Sequence, residues 1–341
     1  MNSASITDFQ SVLDGRGFSD VVNSIVAVKY GQPLTASCFG PLRERCAAAL
    51  FRAISDNVGS QRWLYLRISD PSQGQSGSFE NALRSIDRVI EAANLSGTWW
   101  LAKYDVAGNA IRLRIPIQDA DSEDKSAELS LMLTDVGLEV ASIVYEPELA
   151  LFGGEIGLDL AHRLFAADSR CLLAWFKEHE YRRPCSIGFS FALITHLLQC
   201  VALDPFECMD VWVKVWGKRR PRSHSSESVS MSQNLSKSFS KILASDLSTL
   251  PSLFPEALQG VVAQSFVDYQ SLGRELASAH HNGRLGIGLR SFLCTAVLFH
   301  WNRAGFPPGF QAATARSAID AYSTSCQLDL IRLQTGVADR D

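Results

Sequence analysis

The chain has 341 residues, of which 46% are hydrophobic and 20% are charged, and its formal net charge at pH 7 is −4. This composition is typical of a globular protein with one large core or two smaller ones. The slightly acidic balance argues against nucleic acid as the main partner, because nucleic-acid binding requires a cationic surface. No apolar run approaches the roughly 20 residues of a membrane helix, and residues 1–8 lack the basic and apolar regions of a signal peptide. We therefore expect a cytoplasmic protein without a membrane partner.

The cysteines and histidines show no metal-binding pattern. The eight cysteines lie between Cys38 and Cys326 without a CxxC pair, and the seven histidines lack HxH and HxxxH spacing. In a chain of this size, this spacing predicts reduced, mostly buried thiols rather than a disulfide framework. We expect no metal site and no organic cofactor.

The first half of the chain predicts mostly strands. The expected elements, in order, are a helix over 41–53, a strand over 63–69, a loop over 70–78, an amphipathic helix over 79–93, a hairpin over 98–117, an acidic turn over 119–124, and strands over 128–134 and 139–145. Five strands with one interposed helix indicate an α+β layer on a largely antiparallel sheet. Residues 1–57 are expected to form an N-terminal helical extension, and 58–341 the main domain.

The second half predicts helices. They are expected over 157–178, 188–200, 205–216, 253–279, 286–302 and 311–335. Asp204 is a candidate N-cap, because a proline at position 205 suits the first helical turn that follows it. The segment over about 218–240 is basic and then rich in serine, which predicts a flexible loop. The predicted fold class is α+β, with a largely antiparallel sheet and a C-terminal helical half.

The hairpin carries the first candidate site. Arg112 and Arg114 are two residues apart on its second strand and therefore share one face, while apolar residues at 111, 113 and 115 supply the core. Two adjacent guanidinium groups repel each other unless an electron-rich group lies over them. The pattern favours a surface for carboxylate, phosphate or peptide carbonyl groups. The alternative is a pair of solvated arginines on an exposed strand.

Three blocks, in order, resemble one family. The first is the hairpin ending in IRLRI at 111–115, and the second is YEPELALFGG at 145–154 followed by AHRLFAADSR at 161–170. The third is FHWNR at 299–303. Together they are similar to the thiopeptide-type bacteriocin biosynthesis domain, which also forms the C-terminal elimination domain of lantibiotic dehydratases. The resemblance covers about residues 60–320 and implies an elimination-domain-like fold.

This resemblance implies one of two chemistries and a leader-bearing precursor peptide as partner. Elimination enzymes of the family expel a glutamate esterified to a peptide Ser or Thr, leaving a dehydroamino acid. Thiopeptide pyridine synthases join two dehydroalanines by a formal aza-[4+2] closure, with loss of water and of the leader. When the third block is aligned on Asn302 and Arg303, the elimination enzymes carry a histidine at the position where this chain has Leu298. His300 lies two residues later, about 200° around a helix, so it does not replace that histidine. We therefore expect a pyridine synthase.

Ring closure requires hydrogen-bond donors, a proton carrier and groups that orient the peptide. The candidate catalytic residues are Tyr104, Arg112, Arg114, Tyr145, Ser291 and His300. The candidate substrate-binding residues are Lys103, Glu146, Thr295, Asn302, Arg303, Arg219 and Arg220, the last two for an acidic leader.

Each candidate has a structural alternative. The tyrosines would be half-buried strand residues, the helical hydroxyls would bond the backbone, and the basic segment would be a solvated linker. His300 would be a satisfied core histidine. Asp168 and Arg170 are expected in an internal polar network, with Arg170 paired to Asp168 or Glu146, and the Gly153–Gly154 pair is expected in a turn.

Two other functions remain open at this point. One is a glutamate-elimination subunit of a split dehydratase, and the other is a non-catalytic protein that binds a modified peptide, with other enzymes of the same cluster as further partners. The chain is expected to be a monomer or a homodimer.

Overall fold

The computed structural model describes residues 62–338 except 70–77, 96–98, 106–107, 118–121, 144, 146, 182–184, 220–227, 246–248, 250 and 253. The predicted helix over 41–53 and the predicted N-terminal extension lie outside the described residues. The strands in the described part are β1 (Arg62–Ser69), β2 (Trp99–Asp105), β3 (Gly108–Ile117) and β4 (Glu139–Ser142). The helices there are α1 (Ser78–Ala92), α2 (Ser122–Asp135), α3 (Leu149–Phe152), α4 (Glu155–Glu178), α5 (Ile187–Cys200), α6 (Pro205–Arg219), α7 (Ser228–Leu243), α8 (Glu256–His281), α9 (Leu289–Arg303) and α10 (Pro308–Ala338).

The strands form one antiparallel sheet in the order β2-β3-β1-β4. Side chains alternate between the two sheet faces, so one face collects the apolar positions of β1 and β3. These buried residues are Leu64, Leu66, Ile68, Ile111, Leu113 and Ile115. The predicted hairpin is confirmed as β2 and β3, and the fold class is α+β as expected.

The predicted strand over 128–134 is wrong, because this segment belongs to α2. Its apolar residues at 129, 131 and 133 alternate as in a strand. In the structure Leu129 and Leu133 are buried, one helical turn apart, whereas Leu131 is 63% exposed. The same residues satisfy a strand period and, with Leu131 left in solvent, a helix period. α2 contacts β1 and β4.

In the helical half, α4 packs against α8 and α9, and it also contacts β2. The six predicted helices are confirmed, with ends that differ by a few residues. Asp204 is the predicted N-cap of α6: its Oδ1 accepts a hydrogen bond from the Glu207 N–H at 2.8 Å, and Glu207 accepts one from the Asp204 N–H at 3.3 Å. This reciprocal pair is a capping box.

The predicted flexible loop over 218–240 is wrong at both ends. Residues 218–219 continue α6, and α7 begins at Ser228. The serine-rich sequence contains one deeply buried anchor, Phe239, which stacks on Phe191 of α5 with ring centroids 3.8 Å apart. Burial of a single aromatic side chain contributes about 1.5–3 kcal/mol, which helps to hold a helix that composition alone does not predict.

The glycine pair and the thiols agree with expectation. Gly153 ends α3 with φ +75°, and its carbonyl accepts a hydrogen bond from the Gly286 N–H at 2.7 Å. Gly154 follows with φ +102°. The described cysteines are free, and all except Cys200 are buried; they are Cys171, Cys185, Cys200, Cys208, Cys294 and Cys326.

Candidate functional site

Aromatic rings and arginines meet on the second face of the sheet. We call this group the aromatic–arginine cluster, and its members are Trp63, Tyr65, Arg112, Arg114, Tyr145 and His162. The register pairs Tyr65 with Arg114 across β1 and β3, so the strand alternation that buries the apolar face also brings these side chains together. Tyr145 follows β4, and His162 reaches the cluster from α4.

Arg114 is the buried charge of this cluster. Its side chain belongs to a residue only 3% exposed, and its Cζ lies 4.3 Å from the Tyr65 ring centroid and 5.3 Å from that of Tyr145. Burial lowers the pKa of the guanidinium group, although arginine stays charged in proteins. Arg112 is half-buried, with its Cζ 5.7 Å from the Tyr65 ring. The interpretation of two solvated arginines is therefore wrong for Arg114.

Tyr145 and His162 are joined by a hydrogen bond of 2.6 Å between Oη and Nε2. The imidazole also packs on the Trp63 indole, with centroids 4.6 Å apart. Burial and then the Arg114 charge lower the pKa of His162 to about 4. Burial raises the pKa of Tyr145, against the effect of Arg114. Near pH 7 both groups are therefore neutral, and one proton lies between the half-buried Tyr145 ring and the buried His162 ring.

His300 and Arg303, two further candidates, are part of a buried network around Asp168. The Asp168 carboxylate accepts hydrogen bonds from His300 Nδ1 at 2.7 Å, Arg303 Nε at 2.7 Å and the Tyr269 hydroxyl at 3.2 Å. Burial alone would raise the pKa of Asp168, but His300 and Arg303 more than offset it, so the pKa lies well below its usual range. The predicted Arg170–Asp168 pair is wrong, because Arg170 donates to Asp268 at 3.0 Å.

The network continues through the second ring nitrogen of His300. Its Nε2 lies 2.7 Å from Ser190 Oγ, which also accepts a hydrogen bond from the Trp301 indole at 3.1 Å. His300 and Ser190 are 5% and 0% exposed, respectively. Four helices, α4, α5, α8 and α9, are tied together here. These contacts support the alternative of a satisfied core histidine.

A third set of candidates lies where α6, α9 and α10 meet. Lys218 Nζ is 3.5 Å from Thr295 Oγ1, and Arg219 Nε donates to Gln311 Oε1 at 2.7 Å. Gln311 Nε2 in turn donates to Asn302 Oδ1 at 3.2 Å. The Thr295 hydroxyl donates to the Ser291 carbonyl at 3.0 Å, as expected for a helical hydroxyl that bonds the backbone.

The structure thus divides the predicted site residues into three groups. Arg112, Arg114 and Tyr145 come together in the aromatic–arginine cluster, and His300 and Arg303 lie in the Asp168 network. The third group lies where α6, α9 and α10 meet and consists of Ser291, Thr295, Asn302 and Arg219. Lys103 and Tyr104 lie on β2 with side chains outside the described part, and Glu146 and Arg220 lie outside it entirely. Sequence reasoning did not select Trp63, Tyr65, His162 or Ser190. The alternation of β1 opposite the arginine strand is a signal that would have found Tyr65. Among the described residues no group of three or more acidic, histidine or cysteine side chains could hold a metal ion.

Comparison with known proteins identifies the class of protein. The family model described as "Lantibiotic biosynthesis dehydratase C-term" matches residues 63–322, which include both the sheet and the helical half. This chain belongs to that family. The resemblance inferred from the three sequence blocks is therefore confirmed at the level of the family.

Two solved structures share the fold at low sequence identity, and a third has a TM-score below 0.5. The tRNA dependent lantibiotic dehydratase MibB from Microbispora sp. 107891 is 13% identical, with a TM-score of 0.57 over 80% of this chain and 29% of MibB. TsrL is 13% identical, with a TM-score of 0.52 over 78% of this chain and 94% of TsrL. The pyridine synthase TbtD from thiomuracin biosynthesis is 12% identical, with a TM-score of 0.49 over 77% of this chain and 99% of TbtD.

No curated protein sequence matches this chain significantly. No helix in the described ranges is long and apolar enough to cross a membrane.

Proposed function

We propose that this protein is a pyridine-synthase-like enzyme that joins two dehydroalanines of a leader-bearing precursor peptide. The reaction is a formal aza-[4+2] closure with loss of water and release of the leader. The observation that carries the proposal is the meeting of Arg112, Arg114 and Tyr145 in one aromatic-walled cluster. These residues come from two separate blocks of the family resemblance.

The cluster supplies what ring closure requires. One peptide amide must react as its iminol tautomer, so a donor near its oxygen lowers the barrier. Tyr145 is that donor, and the Arg114 charge stabilises negative charge that develops on the same oxygen. Arg112, which is half-buried, orients a neighbouring peptide carbonyl. The rings of Trp63 and Tyr65 line the cluster and exclude water from it.

Leu298 favours ring closure over glutamate elimination in this proposal. The resemblance aligns this residue with the histidine of the elimination enzymes, and Leu298 is a buried apolar side chain on α9. Leucine neither accepts nor donates a proton, so a chain with Leu298 needs a chemistry that does not depend on that histidine. Closure of two held alkenes is such a chemistry.

The paired arginines support one second candidate. Two guanidinium groups on one strand also suit the carboxylates of a departing glutamate. Under this alternative, the chain is the elimination subunit of a split dehydratase. The two functions differ in substrate, so one assay separates them.

The leader is proposed to bind where α6 meets α9. Four cations, Lys214, Lys218, Arg219 and Arg290, lie there in the described part of the chain, and Asp210 pairs with two of them, Lys214 at 3.9 Å and Arg290 at 3.1 Å. The surplus of positive charge suits an acidic leader.

Mass spectrometry tests the proposal. The purified protein is mixed with a leader-bearing peptide that contains two dehydroalanines. In a separate reaction it is mixed with the corresponding peptide in which glutamylated serines replace the dehydroalanines. Loss of water together with release of the intact leader as an amide supports ring closure. Loss of glutamate from the second peptide, with the first unchanged, moves the function to elimination. No change in either peptide leaves a binding protein.

A further inference from the structure

His162 is the member of the aromatic–arginine cluster that has no role in the proposed reaction. It lies on α4, is 9% exposed, and contacts Tyr145 through Nε2 at 2.6 Å. This hydrogen bond links the segment after β4 to the helical half. It therefore fixes where the Tyr145 hydroxyl sits relative to the arginines of β3.

The direction of this hydrogen bond decides what Tyr145 offers to a substrate. If the phenol donates its proton to His162 Nε2, the Tyr145 oxygen presents only lone pairs to an approaching carbonyl, and the two oxygens repel each other. If His162 Nε2–H donates to Tyr145 Oη, the phenolic hydrogen is free to point at the carbonyl. The two arrangements differ only in the imidazole tautomer, which heavy-atom positions do not distinguish.

The charges around the pair favour an electron-rich substrate atom at this place. Arg114, Glu148 and Tyr65 act on Tyr145, and Arg114 also acts on His162. Arg112 interacts with Tyr65 and Arg114. Both arginines attract a carbonyl or departing hydroxyl oxygen to the cluster. An oxygen held there requires a donor from Tyr145. The lowered pKa of His162 keeps the imidazole neutral near pH 7, so that one ring nitrogen carries the only ring proton.

We propose that His162 is the positioning residue of Tyr145: its Nε2–H donates to Tyr145 Oη and directs the phenolic hydrogen toward the substrate oxygen. His162 itself touches no substrate atom. This inference rests on the proposed function, because it assumes that Tyr145 acts as a hydrogen-bond donor in the reaction.

Two variants separate positioning from other roles. His162→Gln keeps an N–H donor at the place of Nε2 and removes the ring, whereas His162→Leu removes the donor and keeps an apolar volume. We expect His162→Gln to retain kcat within about threefold and His162→Leu to lose about tenfold, the scale of one hydrogen bond. The peptide Kd should be unchanged in both. In a Tyr145→Phe background, His162→Leu should have no further effect, because the two residues act through one contact.

An independent readout does not need the substrate. In protein labelled with ¹⁵N-histidine, the resonance that disappears in His162→Gln belongs to His162, and its shifts identify the tautomer at pH 7. We expect the Nε2-protonated form. The Nδ1-protonated form would overturn the proposal, and so would equal losses of kcat in the Gln and Leu variants or full activity in the Leu variant.

Failure of the proposed function is recognised separately. If wild-type protein eliminates glutamate but does not close the ring, the ring-closure proposal fails, and the same variants are compared in the elimination assay with the same expectation. If wild-type protein performs neither reaction, both proposals are overturned.

Discussion

Asp168 on α4 accepts a hydrogen bond from His300 Nδ1 on α9 at 2.7 Å, across 132 residues of sequence. The same carboxylate binds Arg303, which lies one helical turn beyond His300. The ADS and FHWNR blocks of the family resemblance thus meet in a buried ion-pair network. Asp168, His300 and Arg303 connect the helices α4 and α9, whereas the YEPE block, the arginine strand and His162 form the candidate site.

Removal of the central carboxylate should destabilise the fold strongly. In Asp168→Asn, Arg303 loses its ionised partner inside the core, and we expect the free energy of unfolding to fall by about 3–5 kcal/mol. The matched control is Asp268→Asn, which breaks the exposed pair with Arg170 and should change stability by less than about 1 kcal/mol. Urea unfolding monitored by circular dichroism measures both. Equal, small effects would show that the network does not support the fold.

Acidification should lower the free energy of unfolding through His162 at a higher pH than that at which the carboxylates become protonated. The folded pKa of about 4 is lower than the unfolded value of about 6.5, so the unfolded chain binds the proton more readily. The stabilisation is complete above pH 6.5 and is lost progressively as the pH falls toward 4. In His162→Gln, the unfolding free energy should depend less on pH across this window. His280→Gln, an exposed control on α8, should follow wild type; identical slopes in all three proteins would contradict the assignment.

Two glycine substitutions should act in opposite directions. Gly153 has φ +75°, and a Cβ there would lie 2.8 Å from the backbone nitrogen of Ile287, so Gly153→Ala should destabilise by roughly 1–3 kcal/mol. Gly260 lies on α8 with nothing within 4 Å of its added Cβ, so Gly260→Ala should stabilise by up to about 1 kcal/mol. Thermal unfolding of both variants tests this pair. A Gly153→Ala variant as stable as wild type would contradict the close approach of Gly153 to the backbone of Gly286 and Ile287.

Leader binding should depend on salt if α6 and α9 contact an acidic leader. The double variant Lys218→Gln/Arg290→Gln should raise the leader Kd several-fold at low ionic strength, and the difference from wild type should shrink at high salt. Arg88→Gln/Arg274→Gln removes the same charge from α1 and α8 and serves as the control. Fluorescence anisotropy of labelled leader measures the affinity. A wild-type Kd that does not change with ionic strength would refute this contact.

The local parts of the fold could be predicted from the sequence. The hairpin follows from alternation and its turn, and the cap of α6 follows from Asp204 and Glu207. The leucines of residues 128–134 fit a strand period and a helix period at once, so the sequence alone predicts a strand there. Only tertiary packing, which buries Leu129 and Leu133 and leaves Leu131 in solvent, selects the helix.

The site was predictable only in part, for a similar reason. Arg112 and Arg114 were found because a strand places alternate residues on one face. The contact between Tyr145 and His162 depends on how α4 docks on the sheet, and no local pattern encodes that docking. His300 is likewise buried with a hydrogen-bond partner, Asp168, that lies on another helix, so its local sequence does not reveal its environment.

The most direct test of the account is the rate of ring closure by wild type, Arg112→Gln and the control Arg88→Gln. Arg112 is half-buried at the cluster, so its replacement should leave the fold intact. The replacement removes the guanidinium group that is proposed to contact the reacting peptide. Each protein is incubated with the leader-bearing bis-dehydroalanine peptide, and water loss and leader release are followed by mass spectrometry over time. We predict closure by wild type and Arg88→Gln and a loss of about 10²-fold in kcat for Arg112→Gln. A wild-type protein that leaves the peptide unchanged, or an Arg112→Gln variant as fast as wild type, would contradict the account.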